Sequence, residues 1–177
     1  NSRFYTKKVQ LLADQAQSEQ YGLIMKRAYE HGFLQYEVSN FAKEGCQSVH
    51  NQKYWQCKDC IGLGVGAHGF INARRYSNES RLIDYIKLIE SDEEIISYTE
   101  SLTVEQQFNE AVVFGLRMNK GIVLKDIEEY YDFQLREDKR NKINHMIAED
   151  LLVHEEDFLR VTDKGRYVLD SISAELI

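Results

Sequence analysis

Residues 101–177 constrain the fold most, because three helical stretches there give way to a pair of short strands. Thr103-Val104-Glu105-Gln106 has the spacing of a capping box, a hydroxyl followed three residues later by a carboxamide. A helix is expected from there to about Met118, with Phe108, Val112 and Leu116 on one face, and Gly121 breaks it. Val123–Tyr131 and Glu137–Asp150 read as a second and a third helix, the third with Ile143, Met146 and Ile147 as its apolar positions. Leu151–His154 and Phe158–Val161 read as two strands around the acidic turn Glu155-Glu156-Asp157, and Tyr167–Glu175 as a last helix.

Three helices followed by a hairpin is the winged-helix order, so residues 101–177 are expected to form a winged-helix-like domain. A regulatory nucleic-acid module would follow from fold analogy alone. The charge opposes it: this stretch holds 10 basic and 16 acidic residues, and the hairpin tip is acidic. Phosphate binding needs a basic face, so no nucleic-acid partner is expected. The whole chain has 177 residues and a formal charge of −7, and 43% of it is apolar, which is enough for a core and excludes general disorder. No stretch nears the roughly 18 consecutive apolar residues of a spanning helix. The odd count of three cysteines and the lack of an apolar leader predict a cytoplasmic protein rather than a disulfide scaffold. With no proline, slow prolyl isomerisation is not expected in folding. The chain opens without Met, and we expect a fragment.

Residues 1–100 are organised differently. A helical period over about 9–32, a plausible cap at Gly32 and a strand over 33–39 make half of a βα repeat, which cannot bury both faces by itself. Further upstream elements are therefore expected. Residues 40–75 read as loop-rich. Ile61–Phe70, with glycine at every second position through Gly66, reads as a buried strand approached closely by another group. Ser80–Glu90 reads as a helix with Leu82, Tyr85, Ile86 and Ile89 on one face.

The chemistry concentrates in residues 46–69. His50, Tyr54 and Trp55 put an imidazole and two aromatic rings within six residues. Such a set suits a flat aromatic ligand with a metal at its centre, and equally an ordinary aromatic loop on a core. The Gly62–Gly69 run admits either a cofactor lying on the backbone or tight packing. No G-x-G-x-x-G opens a helix there, so the dinucleotide fingerprint does not apply. Cys46, Cys57 and Cys60 with His50 would supply four zinc ligands in principle, but no second C-x-x-C follows, and the cysteines read as incidental. His31, His145 and Glu37 read as structural.

Several motifs in order resemble one family: Phe4-Tyr5, Tyr36-Glu37-Val38-Ser39-Asn40-Phe41-Ala42-Lys43, His50-Asn51-x-x-Tyr54-Trp55, Gly62-x-Gly64-x-Gly66-Ala67-His68-Gly69, Arg75-Tyr76-Ser77-Asn78 and Gly115-Leu116-Arg117. Over residues 4–175 the chain is similar to the C-terminal part of the oxygen-independent coproporphyrinogen III oxidase-like proteins of the radical S-adenosylmethionine (SAM) superfamily. The His-Asn-x-x-Tyr-Trp motif points to their heme-chaperone (HemW-like) branch. Glu44 stands where relatives commonly carry proline, which affects only the local turn.

The resemblance implies a fold between α/β and α+β: over 1–100 the last elements of a partial (β/α) barrel, and over 101–177 the helical, winged-helix-like C-terminal domain. It implies heme contact by His50, Tyr54 and Trp55, and cofactor contact by Gly66, Ala67 and His68. It implies S-adenosylmethionine and a [4Fe–4S] cluster in the full-length parent only, since no C-x-x-x-C-x-x-C motif is present here. The fragment alone is then expected to be catalytically inactive. Its expected partners are heme or porphyrin and a heme-acceptor protein, which in some settings is membrane-associated, although the chain has no membrane segment. A true decarboxylating oxidase is the alternative.

Overall fold

The structure is a computed structural model that describes residues 12–177. Phe4-Tyr5 and the first residues of the expected opening helix lie outside this range. Helix α1 (Asp14–Glu30) leads into the hairpin β1 (Leu34–Glu37) and β2 (Asn40–Ala42), followed by the short helix α2 (Val49–Trp55). Strands β3 (His68–Ile71) and β4 (Arg74–Asn78), helix α3 (Leu82–Glu90) and strand β5 (Ile96–Ser101) come next. The chain then runs through α4 (Val104–Gly115), α5 (Leu124–Tyr131), α6 (Glu137–Ala148), β6 (Leu152–Glu155), β7 (Phe158–Val161), α7 (Asp163–Arg166) and α8 (Leu169–Leu176).

The helix–helix–helix–hairpin order expected over 101–177 is present. Thr103 Oγ1 accepts the Gln106 N–H and Gln106 Oε1 accepts the Thr103 N–H, so the capping box starts α4 as its spacing requires. The helix ends at Gly115 rather than Met118, because the chain turns back there. A side chain at Gly115 would stand 2.2 Å from Ile122 Cγ2. At Gly121, φ is +71° and a Cβ would meet the Leu159 carbonyl at 2.3 Å, so glycine lets the α4–α5 turn lie against β7.

Among the described residues every strand pair is antiparallel: β1 with β2, β3 with β4 and β4 with β5, and β6 with β7. The class is therefore α+β, and the α/β alternative is not what forms. The expected strand over Ile61–Phe70 begins only at His68. Residues 61–67 form a loop with a turn, Gly64 at φ +99° and Gly66 at φ +63°, and Leu63 is 85% exposed. Alternating glycines deprive the segment of the side-chain packing that holds a strand. Helix α2 and strands β2 and β4 fall in or beside the region read as loop, where their short lengths gave no periodic signal.

One contiguous core joins α4, α6, the β6–β7 hairpin and α8, with Phe108, Val112, Leu116, Leu152, Ile172 and Leu176 almost fully buried. Over 12–100 the buried apolar residues are only Ala42 and Cys60. The β1–β2 hairpin ties the two parts together: the Val38 N–H donates to the Arg117 carbonyl at 3.2 Å and the Asn119 N–H to the Tyr36 carbonyl at 3.1 Å. The Tyr21 hydroxyl donates to the Val38 carbonyl, and its ring meets Tyr167 edge-on at 5.5 Å. Among the described residues, no helix is long and apolar enough to cross a membrane.

Candidate functional site

Helix α2 starts where the Ser48 side chain accepts the Asn51 N–H, and it carries His50, Tyr54 and Trp55 in two turns. His50 and Tyr54 are four residues apart and share a face. Their rings meet edge-on, with centroids 4.9 Å apart and planes at 85°. Both side chains are exposed, so the imidazole is open to a ligand. The Cys60 thiol donates to the Tyr54 hydroxyl at 3.7 Å, and this contact raises the phenol above its ordinary value. Cys60 in turn bonds through its backbone to Phe70 on the free edge of β3. Val49 before the histidine, and Ile61, Leu63 and Val65 after Cys60, are exposed. The exposed imidazole thus stands edge-on to Tyr54, which is tied through Cys60 to the β3 edge.

Trp55 turns elsewhere. One residue past Tyr54 is about 100° around a helix, and its indole lies on α4 rather than beside His50. Phe114 meets it edge-on at 6.2 Å, and the Arg117 guanidinium stands 4.6 Å from the ring centroid. The indole Nε1 is buried and has no hydrogen-bond partner. Motif spacing alone did not reveal this parting of the pair. Arg117, from Gly115-Leu116-Arg117, meets Trp55 only through the fold, because the two lie far apart in sequence.

Gly66, Ala67 and His68 lie at the entry to β3. The Gly66 N–H donates to the Glu79 carbonyl at 2.8 Å, and the Ala67 carbonyl accepts from the Asn78 N–H at 2.9 Å. Their polar backbone groups are therefore largely committed to the fold. A cofactor here would meet small van der Waals surfaces and the exposed His68 imidazole. Two other glycines of the run are explained by packing: a Cβ at Gly62 would stand 2.3 Å from the His68 carbonyl, and one at Gly69 2.2 Å from the Tyr76 ring. Asn78 is buried and donates to the carbonyls of Gly62 and Gly64, closing the loop. Gly64-Val65-Gly66-Ala67-His68-Gly69 does have the G-x-G-x-x-G spacing, yet it leads into a strand, so no helix N-terminus faces a phosphate.

The cysteines do not converge. Among the described residues no group of three His, Cys, Asp or Glu side chains is placed to hold a metal ion. Cys46 is exposed. Burial and the neighbouring Glu110 carboxylate push the Cys57 thiol up to about 11, although the Arg75 guanidinium opposes this. Glu37 is fully buried and accepts from the Ser39 N–H and the Asn40 side chain, which fits its structural reading.

Residues 102–168 match the HemN C-terminal domain. The chain is 31% identical over 159 residues to the heme chaperone HemW of Bacillus subtilis, covering 90% of this chain and 42% of that protein. Over most of its length the chain is thus similar to HemN-like proteins. It is also 32% identical over 163 residues to the mitochondrial radical S-adenosyl methionine domain-containing protein 1 of Bos taurus, covering 84% of this chain and 36% of the other. Escherichia coli coproporphyrinogen III oxidase (HemN), described as a radical SAM enzyme, shares the fold with a TM-score of 0.70 at 17% identity, over 88% of this chain and 39% of that one. The chain spans less than half the length of these relatives, and the matched residues 102–168 hold α4, α6 and the β6–β7 hairpin of the core.

Proposed function

We propose that this chain is the C-terminal portion of a HemN-like heme chaperone, and that α2 presents heme to it. The observation that carries the reading is the exposed His50 imidazole, braced edge-on by Tyr54, on a helix whose Val49 is also exposed. A neutral imidazole is a strong ligand for heme iron, and the neighbouring Tyr54 ring suits a porphyrin edge. Heme is the cargo here. Tyr54 packs at its edge, whereas Trp55, directed onto α4, contributes from another side.

In this reading residues 1–100 are the end of a partial (β/α) barrel and residues 101–177 a winged-helix-like domain. The sparse core of 12–100 and its exposed apolar side chains support this, since such faces need a covering layer. S-adenosylmethionine and a [4Fe–4S] cluster belong to the full-length parent. Gly66, Ala67 and His68 would meet the former through small surfaces and one imidazole. The parent passes heme to an acceptor protein in the cytoplasm or at a membrane, and this portion alone is inactive as an oxidase. Hemin titrated into the chain is expected to give a saturable, shifted Soret band. Robust protoporphyrinogen formation by the full-length parent would instead establish the oxidase alternative.

A further inference from the structure

Helix α2 carries the His50 face, yet none of its seven residues is buried. So short a helix has little stability of its own. Its orientation therefore depends on the few side chains that tie it down. On one side Trp55 lies on Phe114 and Arg117. On the other, the chain doubles back at the helix end. The Cys57 N–H donates to the Tyr54 carbonyl at 3.1 Å and the Lys58 N–H to the Lys53 carbonyl at 2.9 Å, with Cys57 at φ +50°.

This reversal returns Cys60 to Tyr54. The backbone of Cys60 exchanges two hydrogen bonds with Phe70, at 2.7 and 2.8 Å, and Asp59 beside it accepts the Asn72 N–H at 3.1 Å. Cys60 is only 9% exposed, and its thiol donates to the Tyr54 hydroxyl at 3.7 Å. Tyr54 in turn meets the His50 ring edge-on. The order is β3 edge, Cys60, Tyr54, His50: a fixed backbone holds a phenol, and the phenol ring sets the wall against which the imidazole stands. Cys57 takes no part, since it lies in a separate environment with Glu110 and Arg75. Groups that orient a metal-ligating imidazole govern its affinity for the metal.

We infer that Cys60 is a positioning residue for heme ligation, acting on the His50 imidazole through the Tyr54 ring. Its thiol is not itself an iron ligand. The inference rests on the heme-chaperone reading, which supplies the ligand.

The test titrates hemin into the unaltered chain, Tyr54→Phe, Cys60→Ala, Cys60→Ser and the double variant Tyr54→Phe/Cys60→Ala. The Soret band reports both affinity and ligand type. Tyr54→Phe and Cys60→Ala are each expected to weaken binding about three- to tenfold, the range set by one hydrogen bond. The band position should not change, because His50 is still the ligand. The double variant should bind no more weakly than either single one, since both remove the same contact. Cys60→Ser keeps a donor and should stay close to the unaltered chain, a rescue that a merely structural loss would not show. Tyr54→Phe removes only a hydroxyl from an exposed side chain, so it decides the matter even where Cys60→Ala folds poorly. Unchanged affinity in both single variants, or losses that multiply in the double variant, overturns the inference and leaves the heme reading intact. A band that moves in Cys60→Ala while Tyr54→Phe binds normally makes the thiol an iron ligand and also overturns it. No saturable band in the unaltered chain overturns the heme reading itself, and the inference with it.

Discussion

At the scale of single residues, two features have measurable consequences. Gly69 lies under Tyr76, and Tyr76 accepts the Gly62 N–H at 3.0 Å, so one ring holds both ends of the glycine-rich loop. Gly69→Ala must displace that ring, and overpacking of this kind costs about 1–3 kcal/mol. The urea midpoint should fall accordingly; a midpoint equal to that of the unaltered chain would show that the ring moves freely. The second feature is alkaline sensitivity. Burial, with the Glu110 carboxylate nearby, lifts the Cys57 thiol from 9.0 to about 11, and burial, with Cys57 nearby, lifts the Tyr131 phenol from 10.0 to about 12. On unfolding these groups return to their ordinary values, so above pH 9 the unfolded chain has lost protons that the folded chain keeps. Stability is then complete below about pH 9 and declines as pH rises from 9 toward 12. Urea titrations at pH 8 and pH 10.5 should show the drop, and Cys57→Ser should shrink it.

At the scale of elements, α3 is the least satisfied helix. Leu82, Ile83, Ile86 and Ile89 are each between 45% and 69% exposed. The sequence period correctly marks a helix there, but it cannot say what the apolar face packs on. Ile83→Lys is expected to change stability by less than about 0.5 kcal/mol in urea unfolding, as surface substitutions do. A large loss of stability would mean that Ile83 is packed in solution. The same contrast explains what was legible. The capping box at Thr103, the apolar face of α4 and the β6–β7 hairpin were readable, because each is a local pattern that also builds the core. Helix α2, with seven residues, and the strands beside it were not, since short elements there are fixed by distant partners such as the Tyr76 hydroxyl and the Phe70 backbone. The run Ile61–Phe70 misled because its aliphatic residues mimic a buried strand while its glycines make a loop. His50 and Tyr54 were placed together as expected; the turn of Trp55 onto Arg117 needed the third dimension.

At the scale of the whole molecule, a compact helical core carries a thinly buried region that displays the candidate ligand groups. The β1–β2 hairpin hydrogen-bonds to the Arg117–Asn119 turn, and Trp55 lies on Arg117, so the display is braced from the core side. That arrangement makes His50, rather than the other exposed histidine at the β3 entry, the iron ligand in our account. The most direct test is a hemin titration of the unaltered chain, His50→Ala and His68→Ala, followed in the Soret region. The account predicts a saturable shifted band that His68→Ala retains and His50→Ala loses, with affinity down at least tenfold. A band that persists in His50→Ala, or one that disappears only in His68→Ala, would contradict it.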